Sequence, residues 1–218
     1  MADEGSTTDL RLIDVAIRAF GRSGLDGVST RDLAGQAGKP LSAITYHFGG
    51  KEGLYLAAAR HIADQLAGWL GPALDASETM CGADGSAEDA RAALHQLLAA
   101  VVEIMTRDET EPFARFIVRE QAEPTEAFTI LYDGVMGRAL GRAADLLIRA
   151  SSGSLGQEDA RVRALMLLGQ VLVFRVCRAT TLRATGWSGI DAAERDMIRR
   201  NGAAMLEQIL TGLAGETR

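Results

Sequence analysis

Residues 29–54, STRDLAGQAGKPLSAITYHFGGKEGL, read as two short helices joined by a tight turn, with a third helix following at once. Ser29 stands where a cap is needed, Asp32 at the third helical position can reach back to it, and Val28 can staple onto Leu33. The helix they open runs only to about Ala37, because Gly38 can take a left-handed conformation and Pro40 cannot continue a helical ladder. A second short helix begins near Leu41, and after Gly49-Gly50 a longer one opens at Lys51. Small Ala34 where two helices meet, Gly38 in the turn and Ile44 plugging the joint make the layout of a helix-turn-helix.

With Leu41, Ile44 and Phe48 directed inward, helical geometry turns Ser42, Ala43, Thr45, Tyr46 and His47 partly or wholly outward, where groove edges and phosphates of double-stranded DNA can be met. Leu41 opens that segment and is counted with it. Arg31 and Lys39 lie near the starts of the two helices and Lys51 starts the next, so each is placed to reach a phosphate. The candidate DNA-facing set is therefore Thr30, Arg31, Lys39, Leu41, Ser42, Ala43, Thr45, Tyr46, His47 and Lys51. Tyr46 and His47 carry donors suited to backbone oxygens, whereas Ser42 and Thr45 are short enough to touch base edges. The bland alternative is a helical hairpin inside a bundle, with Tyr46 and His47 as packing residues.

Outward from this stretch the pattern stays helical. Leu12, Ile13, Ala16, Ile17 and Phe20 recur at helical spacing between about Thr8 and Arg22. Lys51 to Leu70 reads as one helix stopped by Gly71-Pro72, and 76–87 as a loop rich in Ser, Gly, Asp and Glu. Helical patterns resume at roughly Glu88 to Arg107, Pro112 to Gln121, Thr125 to Ala150, Gln157 to Ala184 and Asp191 to Leu213. Nothing alternates with period two over strand length. The expectation is an all-α chain: a three-helix helix-turn-helix domain over 1–50 and a larger helical domain over 51–218.

Composition agrees with a globular protein, at 47% hydrophobic and 24% charged over 218 residues. Charge is unevenly placed. Residues 1–60 balance seven bases (Arg11, Arg18, Arg22, Arg31, Lys39, Lys51, Arg60) against seven acids (Asp3, Glu4, Asp9, Asp14, Asp26, Asp32, Glu52), so the net charge of -6 falls on the remainder. A neutral N-terminal segment with clustered cations leaves a polyanion partner open. Cys81 and Cys177 have no partner spacing, the N-terminus lacks a basic and then apolar leader, and the apolar run Ala164 to Cys177 is interrupted by Gln170 and Arg175. A cytoplasmic home without a membrane partner is expected, with that run as a buried helix and Cys177 as a small buried hydrophobe. His47, His61 and His95 form no metal-ligand spacing, and no nucleophile elbow or phosphate-cradling glycine loop occurs. No catalytic residue, metal or cofactor is expected.

The segments STRDLAGQAG (29–38) and ITYHFGGKEGL (44–54) resemble the N-terminal domain of TetR-family transcriptional regulators. Arg119-Glu120-Gln121, followed by Pro124-Thr125 and Ala127-Phe128, is similar to the CecR-like subgroup. The resemblance implies a homodimer whose N-terminal domains read adjacent major grooves, a helical C-terminal domain that binds a small-molecule effector, and repression relieved when that effector releases the DNA. Two residues depart from the family pattern. Pro40 stands where a Ser or Thr cap is usual, and Thr45 where Tyr is frequent, which puts the usual phosphate contact at Pro40 in doubt. A helical interaction or ligand-binding module that has lost DNA binding is the competing reading.

For the effector, Trp69, Met105, Phe113, Phe116, Phe128, Tyr132 and Phe174 are candidate pocket residues with Arg119 as a polar handle, although such side chains at helical spacing also serve as plain core. Arg119 and Glu120 in an apolar helix form a solvated face, a structural bridge or a ligand contact. The last two helices are apolar over much of their circumference, and Leu165, Leu172, Val176, Met205 and Ile209 are the expected dimer interface.

Overall fold

Eleven α-helices form where the caps and apolar stripes direct them, and no strand occurs among the described residues. The computed structural model describes residues 3–215, and the side chains of residues 9–212. The side chains of residues 1–8 and of Leu213, where the last helical pattern was expected to end, therefore lie outside it. The helices are α1 (Asp3–Ser23), α2 (Thr30–Ala37), α3 (Leu41–Phe48), α4 (Lys51–Met80), α5 (Ala87–Thr106), α6 (Glu111–Ala122), α7 (Glu126–Leu131), α8 (Gly137–Ala150), α9 (Gln157–Val176), α10 (Arg178–Thr185) and α11 (Ala192–Gly215).

The chain packs as two compact units. The first comprises residues 1–66 and 109–134, the second residues 67–108 and 135–218. In the first unit α1 lies against α2 and α6, α2 against α3, and α6 against α7. Its core holds Leu12, Ala16 and Phe20 of α1 with Leu33, Ile44, Leu54, Ile62 and Phe116, all enclosed. A helix from the middle of the sequence thus completes the N-terminal core. In the second unit α5 is the central helix, touching α8, α9 and α11. Leu94, Leu97 and Val102 of α5 are buried there, as are Leu146, Leu147, Leu167, Val171, Leu206 and Leu210.

Three expected boundaries are corrected. α4 does not stop at Gly71-Pro72 but continues to Met80 through Pro72. Pro72 is exposed, while Leu70, Leu74 and Ser77 on the opposite side are buried, so the missing hydrogen bond falls on the solvent side and the apolar stripe carries on. Arg142 of α8 reinforces this end, donating to Ser77 Oγ at 3.0 Å and to the Ser77 and Cys81 carbonyls at 2.6 and 2.7 Å. The helix expected over 125–150 is divided by a π-turn at Tyr132–Met136. Gly134 in this turn leaves room where a Cβ would stand 2.9 Å from that of Ala63. The helix expected over 157–184 bends by 83° at Cys177.

Burial at that bend also differs from expectation. Cys177 is exposed, whereas Cys81 is the buried thiol. Arg175 takes the inward position, with its guanidinium donating to the Met105 carbonyl at 2.8 Å and to the Arg107 carbonyl, and so closes the end of α5. Three methylenes carry the guanidinium to those carbonyls, and the bend turns Cys177 away. α9 is buried along Ala160, Ala164, Leu167, Val171 and Arg175, while Val162, Leu165, Met166, Val173 and Val176 face outward. No single helix among the described residues is long and apolar enough to cross a membrane.

Candidate nucleic-acid interface

The helix-turn-helix is built by local hydrogen bonds. Ser29 Oγ accepts the Asp32 amide at 3.1 Å and donates to Asp32 Oδ2 at 2.7 Å, which satisfies an amide that the first turn of α2 leaves unpaired. At the other end Gly38 adopts φ 64, ψ 35, its amide bonds the Gly35 carbonyl at 3.1 Å, and the Lys39 amide bonds Ala34 at 2.9 Å. Pro40 then sits at the N-cap of α3 with φ -64 and no side-chain cap, while its carbonyl accepts the Ala43 amide at 3.0 Å. α3 ends at Gly49 with φ 74. Gly53 lets α4 begin tight against α3, because a Cβ there would lie 1.7 Å from the Phe48 carbonyl oxygen.

This frame presents most of the expected surface on one short helix. Ser42, Thr45, Tyr46 and His47 are exposed, with Tyr46 at 84%. Arg31 is exposed on α2, and Thr30, Lys39 and Lys51 are half-buried around it. Ile44 is enclosed as expected, and Phe48 is half-buried. Two assignments are exchanged. Ala43 is only 8% exposed and packs inward, whereas Leu41 is 48% exposed and faces solvent. The buried side of α3 is centred between Ala43 and Ile44, and at about 100° per residue Leu41 falls roughly 110° away from that centre.

His47 does not stand alone. Its Nδ1 lies 2.8 Å from Asp9 Oδ1 on α1, a contact that sequence reading missed because 1–28 carried no expected site residue. Its ring meets that of Tyr46 edge-on, with centroids 5.0 Å apart.

Behind this surface the first unit holds a buried polar link. Tyr55 of α4 donates its hydroxyl to Glu120 Oε1 of α6 at 2.5 Å, and Glu120 Oε2 accepts from the Thr125 amide and hydroxyl at 3.0 and 2.9 Å. Glu120 is 1% exposed. Phe20 stands edge-on to Tyr55 at 5.0 Å, and Phe116 lies against it at 4.7 Å. Burial, then the bond to Glu120, holds the Tyr55 hydroxyl well above its usual ionisation range. Among the open readings of Arg119 and Glu120, Glu120 is a structural bridge, while Arg119 lies over Gly24, where a Cβ would come within 2.5 Å of its guanidinium. Glu120 was visible as a carboxylate on an apolar stripe, but its partner Tyr55 carried no signal.

The effector candidates are divided between the two units. Phe113, Phe116, Arg119, Phe128 and Tyr132 belong to the first unit, and Trp69, Met105 and Phe174 to the second. Phe116 is core, Phe128 and Tyr132 stack on each other at 5.9 Å, and Phe113 meets His61 edge-on. Of the set, Arg119 lines a surface depression of about 420 Å³ with Gly21, Arg115, Val118, Ala122 and Glu123. In the second unit the Arg107 guanidinium lies 5.5 Å over the Trp69 ring. Leu165, Val176 and Met205, expected at a dimer interface, are exposed, and Leu172 and Ile209 are half-buried. Among the described residues no three His, Cys, Asp or Glu side chains gather as a metal requires.

Residues 12–58 match the family model of bacterial regulatory proteins of the tetR family, and residues 90–215 that of the C-terminal domain of the HTH-type transcriptional dual regulator CecR. The CecR regulator of Shigella flexneri is 30% identical, covering 98% of this chain and 96% of that protein. Among solved structures, AibR in complex with isovaleryl coenzyme A and operator DNA superposes with a TM-score of 0.66 at 16% identity, over 91% of this chain and 97% of that one. A transcriptional regulator from Saccharomonospora viridis in complex with choline superposes with a TM-score of 0.57 at 18% identity, over 93% and 96%. At such identities the two structures establish a shared fold.

Proposed function

The chain belongs to the TetR family of bacterial transcriptional regulators, with a CecR-type C-terminal domain, and from that premise we propose that it is a sequence-specific repressor released from its operator by a small-molecule effector. The observation that supports this most is α3 itself. It is closed at its C-terminus by Gly49, anchored by enclosed Ile44, and turns Ser42, Thr45 and Tyr46 to solvent in the same segment as Arg31, Lys39 and Lys51. In this reading residues 1–50 read DNA and 51–218 carry effector binding and dimerisation. Leu41 joins the reading surface, and Ala43 supports it from behind. The protein is not an enzyme in this reading, and it works in the cytoplasm.

A second copy of the chain completes the site, because two half-sites of a duplex lie about 34 Å apart and need paired reading helices. The outward stripe of α9, with Met166 at 63% exposure, and the exposed Met205 of α11 are suited to a four-helix interface with their symmetry mates. Effector contacts are proposed for half-buried Trp69, Met105 and Phe174. AibR and the Saccharomonospora viridis regulator carry small molecules in their solved complexes, which supports this part by analogy. Effector and operator would then weaken each other reciprocally.

The uncapped N-terminus of α3 at Pro40 favours the competing reading, a helical module without DNA affinity. Fluorescence anisotropy with a labelled duplex from upstream of the gene, at low and physiological salt with competitor DNA, separates the two. A repressor binds saturably, resists competitor and loses affinity steeply with salt. Absence of binding at every salt concentration selects the competing reading.

A further inference from the structure

An apolar side chain opens the reading helix. Leu41 is the first residue of α3 and is 48% exposed, whereas the other exposed side chains of that helix, Ser42, Thr45, Tyr46 and His47, each carry a polar group. One exposed leucine on a protein surface needs no explanation, so its place decides what it means. At about 100° per residue, Leu41, Thr45, Ser42 and Tyr46 share an arc of about 140° opposite buried Ala43 and Ile44. Leu41 and Thr45, four positions apart, stand one above the other on this arc. Pro40 adds no side-chain cap before them, its carbonyl takes the Ala43 amide at 3.0 Å, and the first turn of α3 holds no carboxylate that would repel a polyanion.

In a docked helix-turn-helix the N-terminal residues of the second helix meet base edges. Major-groove edges offer hydrogen-bond donors and acceptors at every base pair and one apolar projection, the C5-methyl of thymine. An isobutyl group pressed on a donor or acceptor strips it of water and returns no hydrogen bond, which costs affinity. Pressed on a methyl group, it takes apolar surface of both partners out of water, which adds affinity. We propose that Leu41 is a specificity-determining residue that packs on a thymine C5-methyl in each half-site, so that the operator carries a thymine where the N-terminal end of α3 enters the groove. The inference rests on the DNA-reading role of α3. It differs from the contacts of Ser42 and Thr45 in what is recognised, since Leu41 is blind to the hydrogen-bonding pattern of the base and senses the methyl group alone.

The test uses the full chain and a labelled duplex from upstream of the gene, with the bound segment located by footprinting. Deoxyuridine replaces each thymidine of that segment in turn, which deletes the C5-methyl and leaves every hydrogen-bonding edge in place. At one position of each half-site the wild-type Kd should rise about fourfold, the worth of one methyl group returned to water. Leu41→Ala should bind the thymine duplex as weakly as wild type binds the uracil duplex, and should not distinguish the two. Thr45→Ala should keep the distinction at that position. Leu41 lies at the surface, so Leu41→Ala should keep the helical content and melting temperature of wild type. If no deoxyuridine substitution weakens wild type, or if Leu41→Ala discriminates between thymine and uracil as wild type does, the inference is overturned and DNA reading stands. Failure to bind any duplex overturns DNA reading and the inference with it.

Discussion

The Tyr55 hydroxyl donates to Glu120 Oε1 at 2.5 Å across 65 positions of sequence, joining α4 to α6 inside the first unit. Both groups are enclosed, and the second carboxylate oxygen is held by Thr125. A buried carboxylate is costly unless every lone pair finds a donor, so this link makes the placement of α6 against α1 and α4 specific rather than merely apolar.

Tyr55→Phe keeps the ring packing on Phe20 and Phe116 but strips one donor from Glu120. A loss of about 1–3 kcal/mol in urea unfolding is expected. The pH dependence has a definite sign. The hydroxyl is held above its usual value of 10.0 in the folded protein, so the unfolded chain releases this proton first. The contribution is whole below about pH 10 and fades as pH rises above it. Wild type should therefore begin to lose its advantage over Tyr55→Phe above about pH 10, by up to about 1.4 kcal/mol per pH unit, measured as converging urea midpoints.

Gly53→Ala should be far more damaging than its place in a helix implies. Alanine is ordinarily the better helix former by about 1 kcal/mol, but the new Cβ would lie 1.7 Å from the Phe48 carbonyl oxygen, a backbone atom that cannot swing away. A cost of at least about 3 kcal/mol is expected. Gly35→Ala is the matched control, since no atom lies within 4 Å of its added Cβ. It should leave stability equal or slightly raised, and equal melting temperatures for the two variants would contradict the packing of α3 against α4.

Arg142→Ala removes the donors that close the end of α4 beyond Pro72. Two carbonyls and one hydroxyl lose a partner, and about 2–3 kcal/mol of stability should go with them. Arg142→Lys should recover little, because a single ammonium cannot span three acceptors as the planar guanidinium does. Hydrogen exchange in residues 73–80 should quicken in both variants.

On the reading surface, Lys51→Ala and Tyr46→Phe should weaken binding to all duplexes alike, and Lys51→Ala should lower the salt slope by about one. Thr45→Ala should instead change which sequences are preferred, by about 1–3 kcal/mol at one position of the operator. Anisotropy against a panel of single-base operator variants reads both effects. Base-selective loss from Lys51→Ala would contradict its assignment to a phosphate.

By itself the sequence determined the helix-turn-helix and the all-helical class, because Ser29 with Asp32, Gly38, Pro40 and Gly49 act on backbone within a few residues of themselves. Such signals are complete in the local chain and need no partner. Tertiary structure alone decided what depends on distant residues: which edge of α3 Ala43 and Leu41 occupy, that α4 runs through Pro72, that Arg175 turns inward while Cys177 turns out, and that Glu120 meets Tyr55. A local stop at Gly71-Pro72 costs a few kcal/mol at most, and burial of Leu70 and Leu74 with the Arg142 bonds outweighs it. Asp9 and His47 make the same point at the reading surface, since only the packing of α1 beside α3 brings their side chains to 2.8 Å.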